Sequence, residues 1–246
     1  MKKYFLFVTM AAIALVSCEK GVQTSPDVRA FGLTGDVKEV YRSSMDPELL
    51  EEDDVDPWLE QDLMELSFDK QGRVTEDDYG NPYEYDAQGN FVRGYSDFTT
   101  LTRDAQGRIL SYINEIFNDE GELLDEDADV LDYCSITYTY DEKGRRIGEE
   151  YSGWEWGTVY TYEYDGDAVY PGTVSFDGYS EGWIDSGTIT YEYLEFDAKG
   201  NWTVRNVNKV SSSYEEPWEE DQEPEIDTEE TNTREYRTIT YWSDKK

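Results

Sequence analysis

The chain has 246 residues, with 57 acidic against 21 basic side chains, a formal net charge of −36 and no histidine. A surface of this sign repels phosphate backbones and argues against nucleic acid as a partner. Without imidazole there is no Ser-His-Asp or Cys-His catalysis and no histidine-based zinc site.

Low hydropathy with high charge often marks disorder, but 21 Tyr, 9 Phe and 7 Trp and regular alternating segments point to a folded chain. At the start, Lys2 and Lys3 precede an apolar run from Tyr4 to Val16. The run is too short and wrongly flanked for a spanning helix, and residues 1–17 read as a secretory signal peptide. It ends in Leu15-Val16-Ser17-Cys18, which resembles the lipobox of bacterial lipoproteins. The resemblance implies that Cys18 is lipidated and becomes the first mature residue. Each buried methylene is worth ~0.8 kcal/mol, so several acyl chains would tether the body to a membrane. Residues 18–32 then read as a lipidated, flexible tether, and 33–246 as a single domain. Cys134, in the alternating run Tyr133–Tyr138, is predicted to be a small buried thiol.

From Leu33 onward one unit recurs: an aromatic residue, Asp, two variable residues, Gly and a return strand. It appears as Phe68-Asp69-Lys70-Gln71-Gly72-Arg73-Val74, Tyr85-Asp86 to Phe91, and Arg103-Asp104 to Ile109. Further copies run from Tyr140-Asp141 to Ile147 and from Phe196-Asp197 to Trp202, with a degenerate one at Tyr164-Asp165. The Asp accepts backbone N–H groups within the turn, and the Gly takes the left-handed conformation that closes a hairpin, often with a bulge. The flanks alternate with period two, as in Ile136–Tyr140 and Tyr160–Tyr164, which is the signal of half-buried strands. Parity breaks near Leu194, so a bulge is expected there. A lone hairpin is marginal in water, so the units must stack and share a face. The predicted fold is all-β: an antiparallel meander of about fourteen strands forming a large twisted or curled sheet, either an open shell or sandwich-like.

Tyr140-Asp141-x-x-Gly144-Arg145 followed by Thr161-Tyr162-Glu163-Tyr164-Asp165 resembles the YD repeat of Rhs-type proteins. Over roughly Leu33 to Trp242 the chain is more similar to the secreted YD-repeat-like lipoproteins of the Bacteroidota. The resemblance implies curved antiparallel sheets and an outer-membrane lipoprotein of the cell envelope, facing the periplasm or the exterior. The toxin of long Rhs chains does not transfer, because the repeats are few and no toxin segment follows. Surface-exported lipoproteins of that phylum tend to carry acids after the Cys, and Glu19-Lys20-Gly21 matches this poorly.

If the Asp-x-x-Gly turns share one edge, the longer connections share the other: 43–61, 79–82, 94–97, 118–132, 152–156, 177–186 and 211–232. These carry long acidic runs, and Trp58, Trp154, Trp156, Trp183 and Trp218 sit in or beside them. Loops on a rigid scaffold often carry binding. Two readings stay open at this edge. In one, acidic loops keep a tethered protein soluble and the tryptophans plug loop bases. In the other, the tryptophans form a binding platform for a glycan or an envelope protein. Asp125, Asp127 and Asp129 resemble the start of a calcium loop, but Val130 and Ile136 stand where the Gly and closing Glu should be. The run reads as solvated; calcium is the one cofactor left open, and no other is expected. Asp46-Pro47-Glu48 has the caps of a short helix. The functional expectation is a non-catalytic binding module, with a carboxylate-dependent carbohydrate-active enzyme as the alternative.

Overall fold

The computed structural model describes residues 24–44, 64–76, 82–94, 99–114, 134–153, 155–215 and 224–244. The expected helix at Asp46, the run at Asp125–Asp129, Cys18, Trp58, Trp154 and Trp218 lie outside the described residues, as does the side chain of Cys134. The fold is all-β. Helix α1 (Pro26–Ala30) is followed by β1 (Val37–Ser43), β2 (Met64–Ser67), β3 (Glu84–Tyr85), β4 (Phe91–Arg93) and β5 (Thr99–Arg103). A long meander follows: β6 (Ile109–Asn114), β7 (Cys134–Tyr140), β8 (Arg146–Gly153), β9 (Trp156–Glu163), β10 (Thr173–Ser180), β11 (Trp183–Phe196), β12 (Trp202–Glu215) and β13 (Asp227–Tyr241).

Eleven of these strands form one antiparallel sheet in the order β2-β1-β13-β12-β11-β10-β9-β8-β7-β6-β5, and β3 and β4 form a small hairpin. The meander from β5 to β13 puts the Asp-x-x-Gly turns on one edge and the other connections on the opposite edge, as the repeat predicts. Two connections are shorter than the sequence suggests. Strands β10 and β11 stay paired through Ser180↔Trp183, so 177–186 is a tight hairpin. Likewise β8 and β9 pair through Gly153↔Trp156.

Each turn obeys one rule. In the units at Asp69, Asp104 and Asp141, carboxylate Oδ1 accepts the N–H groups two and four residues on, at 2.8–3.0 Å. Oδ2 takes Nε of the arginine after the Gly at 2.6–2.7 Å. That guanidinium lies flat over the tyrosine of the next unit: Arg73 on Tyr85, Arg108 on Tyr140 and Arg145 on Tyr164, at 4.3–4.6 Å. Each of these tyrosines donates to the carbonyl five residues past the previous Asp: Val74, Ile109 and Arg146. Gly72, Gly107 and Gly144 have φ of +75° to +80°, which a side chain would strain. Bulges fall at Thr102/Arg103, Thr139/Tyr140 and Tyr193/Glu195, the last where parity breaks at Leu194.

In the unit at Asp141 the bulge pairs Tyr140 with Arg146. Ile147 therefore points outward, 38% exposed, and Arg146 takes the inward place that Val74, Ile109 and Trp202 hold elsewhere.

Burial pushes the Tyr85 and Tyr140 hydroxyls up to about 12, from an ordinary value of 10.0. A raised folded-state value means that the neutral phenol is favoured in the fold. This contribution is fully present below about pH 10 and is lost as pH rises from there through 12. Urea denaturation across this window should show stability falling with pH, and Tyr140→Phe should flatten the slope. An unchanged slope in the variant would remove Tyr140 as a cause.

The sheet curls. Ten strand spacings of 4.8 Å would set its edges about 48 Å apart if flat, yet one residue touches both. Asp27, 2% exposed, accepts the Val74 N–H at 3.1 Å beside the β2 edge and pairs with Arg103 of β5, whose Nη2 lies 2.9 Å away. A strap of short pairings (Phe68↔Val74, Glu76↔Pro82 and β3–β4) runs between those edges. The result is a curled shell, not a sandwich.

Residues 24–36 plug the turn end of this shell. Ser25 caps α1 by accepting from Val28 N at 3.1 Å, and Pro26 opens the first turn. Val28, Leu33, Val37, Val40, Phe68 and Val74 form the buried core. Thr34 exchanges hydrogen bonds with the fully buried Asn201, its N–H donating to Oδ1 at 2.8 Å. The expected domain boundary is thus corrected: residues 24–32 belong to the folded body rather than to a flexible tether, because Val28 and Asp27 are buried in it.

Candidate functional site

Alternation fixes which side chains face the inside of the shell. On β9 the even positions from Trp156 to Tyr162 face in and Val159 and Thr161 face out. Register then aligns Tyr160 with Glu149 and Phe176, Tyr193 with Arg205, and Arg205 with Glu235. The inner face is built from tyrosines and arginines in place of the usual aliphatic residues.

Between this face and the plug lies a cavity of about 550 Å³. Seven cationic side chains line it, against one carboxylate, Asp167. They fall into two clusters. In the first, Arg146 donates to Glu149 at 2.9 Å and lies over the rings of Tyr138, Tyr162 and Phe31. Glu149, 7% exposed, also accepts from the Tyr151 and Tyr162 hydroxyls. Burial alone would disfavour charge on Arg146, but Glu149 and the surrounding tyrosine hydroxyls hold its value above the ordinary one. Lys143 and Arg145 border this cluster from the turn at Asp141, and each is paired, with Asp167 and Asp141 respectively.

The second cluster is a column. The Arg205 guanidinium lies 4.0 Å from the Tyr191 ring and 4.2 Å from the Trp202 ring, and Arg237 lies 3.9 Å from Trp202. Arg205 donates to Glu235 at 2.7 Å. Arg237 donates Nε to the Trp202 carbonyl at 3.0 Å, but its Nη2 is buried with no hydrogen-bond partner in the described structure. Burial pushes the Arg237 guanidinium down to about 10, and the like charge of Arg205 adds to this against an opposing contribution from Tyr170. Two guanidiniums thus share one indole, and the one carboxylate, Glu235, pairs with Arg205.

A scan against models of known protein families and a search of curated proteins return no match to this chain.

The predicted tryptophan edge is present in part. Trp156 and Trp183 are the first residues of β9 and β11, not loop residues, and each pairs in register with Ser180 of β10. They therefore share the inner face at the end of the shell away from the plug, 37% and 51% exposed. Trp156 also covers Gly153, where a Cβ would meet its ring at 2.2 Å. Trp242 instead ties the end of β13 to the strap, donating to the Phe68 and Asp69 carbonyls at 3.2 and 3.1 Å. Among the described residues no group of three or more acids and thiols stands close enough to hold a metal ion.

The cationic cavity is the feature that sequence reasoning missed. Its arginines are scattered over five segments of the chain and form no run. The signal was parity: Arg237 shares the face of Ile239 and Tyr241, and Arg205 that of Val207. Arginine is seldom placed inward unless paired or engaged by a ligand.

Proposed function

We propose that this chain is a non-catalytic, lipid-anchored protein of the cell envelope that binds a ligand on the inner face of its curled sheet. The observation that carries the reading is the cavity itself, within the size range of small-molecule sites and lined by aromatic and convergent polar groups. The likeness to YD-repeat lipoproteins and the lipobox at Cys18 support the location. No helix among the described residues is long and apolar enough to cross a membrane, and acylation of Cys18 would supply the attachment. Five residues lie between Cys18 and Thr24, a reach of at most about 20 Å. The plugged turn end would then face the membrane, and Trp156 and Trp183 would face away, toward glycans or envelope proteins.

The enzyme alternative fares less well. The glutamates beside the arginine clusters, Glu149 and Glu235, are each engaged by an arginine, an arrangement that suits a packed wall better than a proton donor. We assign no cofactor and no metal.

Metabolic labelling with a fatty acid should mark the wild-type chain and send it to the membrane fraction, and Cys18→Ser should abolish both; label retained in the variant contradicts the anchor. Screened against envelope glycans and proteins, the full chain should show a raised thermal midpoint with at least one of them and hydrolyse none. Release of reducing ends by rigorously purified protein would overturn the non-catalytic reading.

A further inference from the structure

The charge inside the shell opposes the charge of the molecule. The chain carries −36, yet the cavity wall holds seven cations and one acid. Glu149, Glu235 and Asp141 pair with Arg146, Arg205 and Arg145 from behind, and Arg42 is engaged as well. Placing guanidinium groups out of water is costly unless something compensates them. Arg146 and Arg205 have their glutamates. Arg237, 8% exposed, has neither an ion pair nor, at Nη2, a hydrogen bond among the described residues. Its guanidinium lines the cavity with no carboxylate paired to it among the described residues, and the Tyr170 hydroxyl is the polar neighbour that favours its charge.

We infer that the cavity is a binding site for a small anion-bearing ring compound, its carboxylate or phosphate seated against Arg237 and its ring among the tyrosines beside it. The inference rests on the binding role proposed above and names the ligand chemistry. A guanidinium fork matches the two oxygens of a carboxylate or phosphate. Trp202 holds Arg237 in place through its carbonyl and its ring, so little rotamer freedom remains to be lost on binding. The Tyr170 and Tyr193 rings, 5.1 Å apart, offer apolar faces next to that anchor, and Arg29, exposed on α1, closes the plug side. A wall with this donor excess discriminates against the neutral parent of the same ring, because the neutral compound leaves Arg237 unpaired.

The test is isothermal titration of the full-length chain with glucuronate and galacturonate oligosaccharides, a sugar phosphate, inorganic phosphate, and the neutral glucose and galactose counterparts. The expected result is binding of at least one acidic ring compound, at least about tenfold tighter than its neutral parent. The uronate and sugar-phosphate arms separate carboxylate from phosphate. Arg237→Gln should weaken binding by about tenfold or more, and Arg237→Lys should restore part of it. Because Arg237 is buried, Arg29→Ala serves as a second variant that does not touch the core; it should weaken binding several-fold with an unchanged thermal midpoint. Binding of neutral and acidic sugars alike, unaltered in both variants, overturns the anion site and leaves the binding role standing. Absence of binding by every acidic and neutral compound, here and in the glycan and protein screen, overturns both.

Discussion

Asp27→Ala should lower the unfolding free energy by about 3–5 kcal/mol, the usual cost of stripping one partner from a buried ion pair. Asp27 is 2% exposed and engages groups at both edges of the sheet. Removing its carboxylate leaves the Val74 N–H without its acceptor at 3.1 Å and leaves Arg103 facing the core without its counter-charge. The Arg103 guanidinium also donates to the Gly107 carbonyl at 2.8 Å, so the turn at Asp104 loosens as well. Because the pair spans the gap between the β5 and β2 edges, the loss should appear as lower cooperativity and not only as a lower urea midpoint. The double variant with Arg103→Ala should recover part of the loss, since no charge is then orphaned. A shift under about 1 kcal/mol for Asp27→Ala would mean that the shell closes without this contact.

Trp202→Ala should cost a similar amount, about 3–5 kcal/mol. Trp202 is 3% exposed and begins β12 at the inward position of its repeat. Its removal opens a cavity beneath Tyr193 and takes away the π face on which Arg205 and Arg237 both lie. Without that face the two guanidiniums repel across a gap that holds a single glutamate. Thermal and urea unfolding would measure the change. Trp202→Phe, which keeps an aromatic face, should cost less than half as much. If Trp202→Ala and Trp202→Phe were equally destabilising, the cation–π column would contribute little and packing volume alone would be responsible.

The architecture could be read from the chain because it is local chemistry repeated. An Asp, a Gly three residues after it and a Tyr with period-two flanks need only their near neighbours to form a hairpin, and five such turns on one edge dictate a meander. The bulge at Leu194 was visible for the same reason, as a break in parity within nine residues. The closure of the shell was not legible. It depends on Asp27 meeting Arg103 and Val74, across 76 and 47 residues, and nothing about an isolated Asp in a short tether-like segment announces such a reach. Nor does the sequence mark Asn201, which stands where the turns at Asp69, Asp104 and Asp141 carry an arginine and which docks Thr34.

The site was hidden by averaging. Net charge describes the outside of a protein whose acids are solvated, and it conceals a cationic interior assembled one residue at a time from different strands. The clearest local sign was Gly144-Arg145-Arg146-Ile147. The bulge at this turn gives the inward place to Arg146 and sends Ile147 to solvent. Trp156 and Trp183 lie at the outer rim of the inner face, whereas the cationic side chains lie at the plugged end of the same face.

The most direct measurement is a crystal structure of the full-length chain soaked with the tightest-binding acidic sugar from the titration. The account predicts the carboxylate or phosphate within hydrogen-bond distance of the Arg237 guanidinium, with the sugar ring against Tyr170 or Tyr193 and residues 24–36 still in place at the turn end. A ligand held on the outer face, or at Trp156 and Trp183 with the cavity unchanged, would contradict it.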